Sequence, residues 1–439
     1  MVKISQPQHR LLSSQRRLDA TTLSGDVVVF HLMLAVALGG VVAVLWLPLL
    51  SEMLSLFGRS ARIATLDIAS GEVPRLLFLV PAHDEELLIA GCVRSLLDMA
   101  YPPASRRIIV IADNCSDQTA RVAEAQGAES WIRDDPQAPG KPQAIAWALS
   151  QIELREWDAC VIVDADATVA RGFASALAKL APLNDIAFQG NYGVLNEFES
   201  WLTRLGGVLS RSRYEVTYPL KGSAGLNCPI TGNGMGFGTN LLIRDGWRAF
   251  SITEDSELYA VYTQAGVPIR HASEANLFSQ EPRSLRQGVT QRRRWLAGRI
   301  RVIREQAVGL ILSPHIGWHQ KLDAFVELGL AIPVLHLLVT LVVAAAALSV
   351  VGGTQGWWIA ALAVASLSGV VITTIVVVLR HPQPWRTLFS FFMLPVYAGW
   401  RLVVLLRTLS TLRDTTWRRT ARRAPVEGPG IVRIVRPPA

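Results

Sequence analysis

The sequence predicts an α/β domain built on a mostly parallel sheet flanked by helices, together with transmembrane helices. Three observations carry this expectation. Half of the 439 residues are hydrophobic, yet the excess is confined to the segments near 27–50 and 324–408. The middle of the chain instead alternates short apolar runs with amphipathic ones, as strand–helix–strand units do. Its polar residues gather just after the apolar runs, where open parallel sheets bind their ligands.

Residues 1–26 read as an N-terminal tail, and Val27–Leu50 follows almost without charge. At about 1.5 Å per residue this run crosses a hydrocarbon core about 30 Å thick. A cleavable signal peptide is the rival, but the run is too long and no small-residue cleavage site follows it. Residues 51–74 read as a linker. Ala324–Val350 and Trp357–Leu379 read as two further spans within 324–379. The uncharged Val351–Gly356 between them belongs on the non-cytosolic side, and the basic Arg380–Arg386 on the cytosolic side. Residues 387–408 contain Pro395 and Arg401, which favours an interfacial or re-entrant helix, with a fourth span as the alternative. Residues 409–439 form a basic tail. A single N-terminal span below a cytosolic middle domain leaves Lys3, Arg10, Arg16 and Arg17 outside, against the positive-inside trend.

The middle domain, residues 75–283, opens with the buried-type strand Leu76–Val80 ending at Pro81. A helix with Leu87, Ile89, Val93, Leu96 and Leu97 on its apolar face follows. Then come a strand at Ile108–Ala112, helices at Asp117–Gln126 and Pro142–Ile152, and a strand at Ala159–Val163. No Gly-x-Gly-x-x-Gly turn follows the first strand, which excludes a dinucleotide fingerprint. Residues 284–323 form a basic amphipathic region in which Leu285, Val289, Trp295, Leu296, Ile300 and Ile303 are spaced among arginines. It reads either as an interfacial helix holding Trp295 near a membrane or as a helix packed on the domain's own core.

The formal charge of +8 assigns no partner by itself. The arginines cluster beside apolar segments and in Trp417–Arg423, which points to anionic lipid headgroups. No basic stripe interleaved with aromatics points to nucleic acid. Cys92, Cys115, Cys160 and Cys228 lack metal-ligand spacing and read as free thiols of a reducing compartment.

Asp164-Ala165-Asp166 follows the apolar Val161-Ile162-Val163, so its two carboxylates lie on one face at a strand end. There they can converge on Mg²⁺ or Mn²⁺, which take oxygen ligands and complete their shells with water and phosphates. In a random loop the same triplet is a solvated turn. Thr231-Gly232-Asn233-Gly234 offers a flexible backbone that a substrate can approach closely, or is simply a turn. Thr253 is positioned to cap a helix bearing Glu254 and Asp255 in its first turn, which alone is only a well-capped helix. Gln291-Arg292-Arg293-Arg294-Trp295 combines phosphate-pairing guanidiniums with a stacking indole, or contacts lipid headgroups.

The order Asp113, Asp164-x-Asp166, Thr253-Glu254-Asp255, Gln291-x-x-Arg294-Trp295 resembles the motif series of the family 2 inverting glycosyltransferases. These include cellulose, chitin, hyaluronan and poly-N-acetylglucosamine synthases and many non-processive relatives. The resemblance spans about residues 75–305. Pro81–Glu86 is similar to the family's opening motif, with Asp84 where Asn is commoner.

The resemblance implies an A-type glycosyltransferase fold that uses a nucleotide-sugar donor, with uridine diphosphate as the expected carrier and the sugar unspecified. It places Glu85 and Asp113 at the nucleoside, Lys141 near the base or diphosphate, and Asp164 at the nucleotide or donor sugar. Asp166, with Asp164, would hold the metal, and Asp255, beside Glu254, would be the general base. Gln291 and Arg294 would bracket the diphosphate, with Trp295 and Gly232-Asn233-Gly234 on the acceptor side. The expected protein is integral to a bacterial-type inner or plasma membrane, with its catalytic domain cytosolic and a lipid or glycan acceptor. A processive polysaccharide synthase is the alternative; it needs more helices than are legible here, or an accessory subunit. A non-catalytic scaffold retaining a degenerate domain has no use for four such acids. A nucleotidyltransferase has no role for Gln291-x-x-Arg294-Trp295.

Overall fold

The computed structural model describes residues 8–58 and 73–410, with side chains from residue 28 onward. The rest of the expected linker, at 59–72, and the basic tail with Trp417–Arg423 lie outside the described residues.

Among the described residues, eight strands form one sheet: β1 Leu76–Ala82, β2 Arg106–Asp113, β3 Glu129–Arg133, β4 Ala159–Ile162, β5 Thr168–Val169, β6 Ala187–Val194, β7 Met235–Gly238 and β8 Ile269–Ser279. Their order is β3-β2-β1-β4-β7-β6-β8-β5. The first four pair in parallel, as the alternating pattern predicts. Beyond β4 the sheet is mixed, because β7 runs antiparallel to both β4 and β6 while β6 and β8 are parallel.

Alternation along each strand explains why the parallel half is apolar throughout. Leu76, Phe78 and Val80 enter one core with Ile108, Val110, Val161 and the helices Ile89–Leu97 and Phe173–Ala178. Leu77 and Leu79 enter the other with Ile109, Ile111, Ile162 and the helices Lys141–Leu149 and Glu254–Gln264. Both faces are covered, so no position on β1 is free to be polar. In the mixed half, glycines replace large side chains where backbones approach. A Cβ on Gly236 would strike the Phe188 ring, and one on Gly238 would strike the carbonyl oxygens of Leu183 and Asn184. Backbone atoms cannot rotate aside, so Gly238→Ala is expected to cost about 1–3 kcal/mol, read as a lower Tm.

Among the described residues, four helices are long and apolar enough to cross a membrane: Val28–Phe57, Pro333–Val351, Gly353–Arg380 and Pro384–Ser410. The first is part of a continuous helix, Gln8–Phe57, that runs past Leu50 into the expected linker. Nothing between Ser51 and Phe57 breaks it, and it ends where Gly58 N–H bonds the Leu54 carbonyl (2.9 Å). The second begins at Pro333 rather than Ala324, because proline starts a helix well but cannot donate within one. Gly352 and Gly353, with φ of +65° and +54°, make the turn to the third. The last is two helices, Pro384–Ser390 and Leu394–Ser410, joined by a 3₁₀ turn at Phe391–Met393.

The chain divides into two units. One holds the described residues to Met53 with Leu330–Ile372, where Val42, Val343 and Ala363 pack and Trp46 Nε1 donates to the Leu362 carbonyl (3.0 Å). The other holds Leu54–Gly329 with the described residues from Thr373, and so includes both the sheet and the last apolar segment. Within it, His381 fastens the turn at 381–383 to the sheet domain. Its Nδ1 accepts the Gln383 N–H (3.0 Å), leaving Nε2 to donate to Glu197 (3.1 Å), which also pairs with Arg211 (3.0 Å).

The amphipathic region forms the helix Leu285–Leu312. Its later half takes the second of the two arrangements left open by the sequence, burying Val302 and Leu310 in the domain's core. Val308, Ile311 and Leu312 remain exposed on its other side.

Candidate active site

The site is built at the carboxyl ends of β2 and β4. β2 ends at Asp113, whose buried carboxylate accepts from Arg133 on β3 (2.5 Å) and from the Gly140 N–H (2.9 Å). Arg133 also holds Asp135 (2.6 Å). Asp113 thus shapes the loop that leads to Gly140, whose φ of +118° starts the helix Lys141–Leu149. A cleft beside this node is lined by Asn114, Cys115, Ile132, Arg133 and Pro139, among others.

Lys141 is the centre of the site. Its Nζ donates to Asp164 Oδ1 (2.7 Å), to the Gly232 carbonyl (2.5 Å) and lies 3.3 Å from Glu254 Oε1. Three segments distant in sequence therefore meet on one ammonium. The Thr231–Gly234 loop is clamped rather than flexible. Gln189 accepts from the Thr231 N–H (3.0 Å) and donates to the Asn233 carbonyl (2.7 Å), while Tyr214 OH bonds Thr231 Oγ1 (2.5 Å). Asn233 Oδ1 accepts the Asp164 N–H (3.1 Å), tying this loop to the end of β4. Gly232 has φ +83°, and a Cβ there would stand 3.3 Å from Asp255 Oδ2. Gly234, at φ +67°, leaves no room for a Cβ beside Leu277.

Glu254 and Asp255 open the helix Glu254–Gln264 as expected, but Thr253 does not cap it with its side chain. The Thr253 hydroxyl is covered instead by Gly298, where a Cβ would collide with it. This contact seats the helix Leu285–Leu312 against the acids.

Burial raises the pKa of Glu254 to about 7; Lys141 pulls it down, and Asp255 and Asp164 push it up. Burial also raises Asp255, against the Ser256 N–H (2.6 Å), Lys141 and Arg299. For Lys141, burial lowers the pKa, but Asp164 and Glu254 outweigh it and the net shift is upward. A carboxyl with a raised folded pKa contributes stability that is present below its unfolded value of 4.5 and lost as pH rises through about 7. Glu254→Gln is therefore expected to flatten the fall in Tm across that window, as thermal unfolding at a series of pH values would show.

Other sequence-predicted residues sit around this centre. Asp166 lies near Cys92 and Tyr192: burial first, then its charge, raises Cys92, and on Tyr192 its charge adds to burial and to the charge of Glu281. Glu85 occupies the turn after β1, where its N–H donates to Thr119 Oγ1 (2.8 Å). Gln291, Arg294 and Trp295 ride on Leu285–Leu312; Gln291 Oε1 is buried without a hydrogen-bond partner among the described residues. Trp295 is 37% exposed, with Arg292 stacked 4.7 Å from its ring centroid. Asp84, Cys115 and Asp117 also approach one another, but Asp84 accepts from Ser116 N–H (2.6 Å) and Asp117 from Thr119 N–H (2.9 Å), as turn residues do. Sequence reasoning missed Arg133, Tyr214 and Arg299. The first lies on an unread strand, and the others carry no motif of their own.

Residues 74–298, about half of the chain, match the model of the family described as glycosyltransferase like family 2. The chain is 26% identical over 235 residues to the probable glycosyltransferase YdaM of Bacillus subtilis, covering 52% of this chain and 56% of that protein. It is 28% identical over 196 residues to the beta-monoglucosyldiacylglycerol synthase of Trichormus variabilis, covering 43% and 41%. The matches thus span about half the length of these curated relatives. Among solved structures, the mannosyltransferase PcManGT from Pyrobaculum calidifontis, in complex with GDP-Man and Mn²⁺, aligns at TM-score 0.51 and 17% identity, over 86% of this chain and 98% of that one. That likeness shows the shared A-type fold. With its sheet, its ordered acids and the match over residues 74–298, the chain belongs to glycosyltransferase family 2.

Proposed function

We propose that the enzyme is a metal-dependent inverting glycosyltransferase. It moves a sugar from a nucleoside diphosphate, with UDP as the expected carrier, to a lipid or glycan acceptor at a membrane. The observation that carries this reading is the convergence of Asp164, Gly232 and Glu254 on Lys141, with Asp255 against Gly232. That arrangement puts a partly desolvated base beside a cationic centre at the strand ends.

Asp255 takes the proton of the acceptor hydroxyl as it attacks the anomeric carbon. Its raised pKa makes it a stronger base than an exposed carboxylate. Glu254 behind it keeps Lys141 in place, and Lys141 orients Asp164. With one base and no covalent nucleophile, the configuration inverts, so an α-linked donor gives a β-glycoside. Gln291 and Arg294 bracket the departing diphosphate. Trp295 and Gly232-Asn233-Gly234 face the acceptor.

The donor set fits a divalent cation. Lys141 occupies Oδ1 of Asp164, while Oδ2 has no hydrogen bond among the described residues, and Asp166 stands two residues on. Hard carboxylate oxygens of this kind hold Mg²⁺ or Mn²⁺. When bound, the cation neutralises charge growing on the diphosphate. The Mn²⁺ and GDP-Man in the PcManGT complex support a cation and a nucleotide sugar, and the name of the Trichormus relative supports a lipid acceptor. Four membrane-length helices and the basic 380–386 loop support a catalytic domain held on the cytosolic side of an inner or plasma membrane.

The test is nucleoside-diphosphate release by the full chain in lipid nanodiscs, with UDP-sugars, other nucleotide sugars and either cation. Chelation with EDTA is expected to lower release at least about 100-fold, with recovery on adding Mn²⁺ or Mg²⁺. Full activity in EDTA would remove the cation from the mechanism. Product mass separates a single transfer from a polymer ladder.

A further inference from the structure

Four arginines converge within the unit that holds the sheet: Arg213 from the turn Ser212–Thr217, Arg292 and Arg299 from Leu285–Leu312, and Arg401 from Leu394–Ser410. Two glycine contacts place them. Gly298 lies against Thr253, which holds the adjacent Arg299 beside Asp255. Gly288 lies against the Trp400 indole, at 3.3 Å for a built Cβ, which holds the adjacent Arg401 on the same helix. Arg292 stands between them, paired with Glu281 (2.9 Å). Arg401 senses the charges of Arg292, Arg213 and Arg299, and Arg299 those of Arg213 and Asp255.

The nearby acids neutralise this group only in part: the charges of Glu327 and Asp255 act on Arg299 without a hydrogen bond or ion pair to it. Glu327 and Asp323 are taken by Lys221, at 3.0 and 3.1 Å, and Glu281 by Arg292. Among the described residues, neither Arg299 nor Arg401 has a hydrogen bond or an ion pair. The Tyr218 hydroxyl, near Arg213 and Arg299, is fully buried and also unpartnered. Burial, with Arg213 adding to it, holds the Arg299 guanidinium below its usual pKa. Half-buried like charges without a directly paired counter-ion, as at Arg299 and Arg401, are unfavourable unless a bound anion compensates them. An arginine in an apolar helix of membrane-crossing length points the same way.

We propose that Arg299 and Arg401 hold a phosphate group on a lipid acceptor, presenting the acceptor hydroxyl to Asp255. The inference rests on the glycosyltransferase reading and names its acceptor class: an anionic, phosphate-bearing lipid. Two placements favour the acceptor over the donor diphosphate. Lys141 and Asp164 approach Asp255 from the strand ends, whereas Arg299 lies further along Leu285–Leu312 than Gln291 and Arg294, the residues assigned to the diphosphate. Arg401 belongs to the segment that a lipid headgroup can reach from a bilayer.

The experiment measures binding, so it does not depend on turnover. The full chain in phosphatidylcholine nanodiscs is titrated with dioleoyl phosphatidylglycerol and with dioleoylglycerol, which share their acyl chains and both offer a free hydroxyl, but differ in the anionic phosphoglycerol headgroup. Native mass spectrometry reads lipid occupancy, and UDP binding is measured in parallel. Wild-type protein is expected to prefer the phosphate-bearing lipid at least tenfold. Arg299→Gln and Arg401→Gln are expected to lose that preference, and Arg299→Lys to keep much of it. Thermal unfolding of each variant shows that it is folded. Equal binding of the two lipids by wild type overturns the proposal, as does a preference that both Gln variants retain. A tenfold loss of UDP binding in Arg299→Gln also overturns it, assigning the anion to the donor. Absence of any nucleotide binding by wild type instead counts against the glycosyltransferase mechanism, whatever the lipids do.

Discussion

Asp255→Asn is expected to slow sugar transfer by about 10²–10⁴-fold while leaving nucleoside-diphosphate binding in place. The substitution keeps the shape of the side chain and its bond from the Ser256 N–H, since an amide oxygen accepts as a carboxylate does. It removes only the ability to take a proton. Asp255 is also one of several acids around Lys141, so losing its charge should ease local repulsion, and the variant should unfold no lower than wild type. Release assays, UDP titration and thermal unfolding on the same preparation separate these effects. Near-normal turnover in the folded variant would exclude Asp255 as the base.

Lys141→Met should damage both stability and donor binding. The wild-type ammonium bridges Asp164 Oδ1, Glu254 Oε1 and the Gly232 carbonyl. Removing one partner of a fully buried ion pair costs about 3–5 kcal/mol; the loss expected here is smaller, because Lys141 and Asp164 are 25% and 35% exposed and Glu254 can take up a proton. Glu254, 8% exposed, faces Lys141 at 3.3 Å and would carry most of that cost. Glu254→Gln added to Lys141→Met is therefore expected to restore much of the lost stability without restoring donor affinity. A double variant no more stable than the single would show that Lys141 supports the fold by packing alone.

The legible half of the fold is the half buried on both faces. β1, β2 and β4 are unbroken apolar runs because each alternate residue meets a different core, and helices between them follow the 3.6-residue period. β3 was hidden because it has exposed residues such as Glu129 and Ile132 beside the buried Arg133. β6 and β7 were hidden by glycines, which read as turns but here admit Phe188 and neighbouring carbonyls. The site follows the same division. Asp164, Glu254 and Asp255 were legible through motif order and Gly232 as a glycine-rich turn, and the structure brings Asp164, Gly232 and Glu254 onto Lys141 with Asp255 against Gly232. Arg299 and Tyr214 act through tertiary placement: their neighbours Gly298 and Thr231 gain meaning only once Thr253 and the loop are packed.

The unit that holds the sheet is discontinuous, and this has a consequence for how a ribosome must deliver it. Translation releases the sheet strands first, then Leu330–Ile372, and only afterwards the segment bearing His381 and Trp400. Domains generally begin folding from the N-terminal side as the chain emerges. Until the last segment arrives, Glu197 lacks its imidazole partner and the groove at Gly288 lacks its indole. Nascent chains stalled before residue 373 should therefore hold a sheet whose Leu285–Leu312 helix is still open to protease. Chains extended past residue 410 should become protected, so maturation of the enzyme would be timed by synthesis of its final apolar helix.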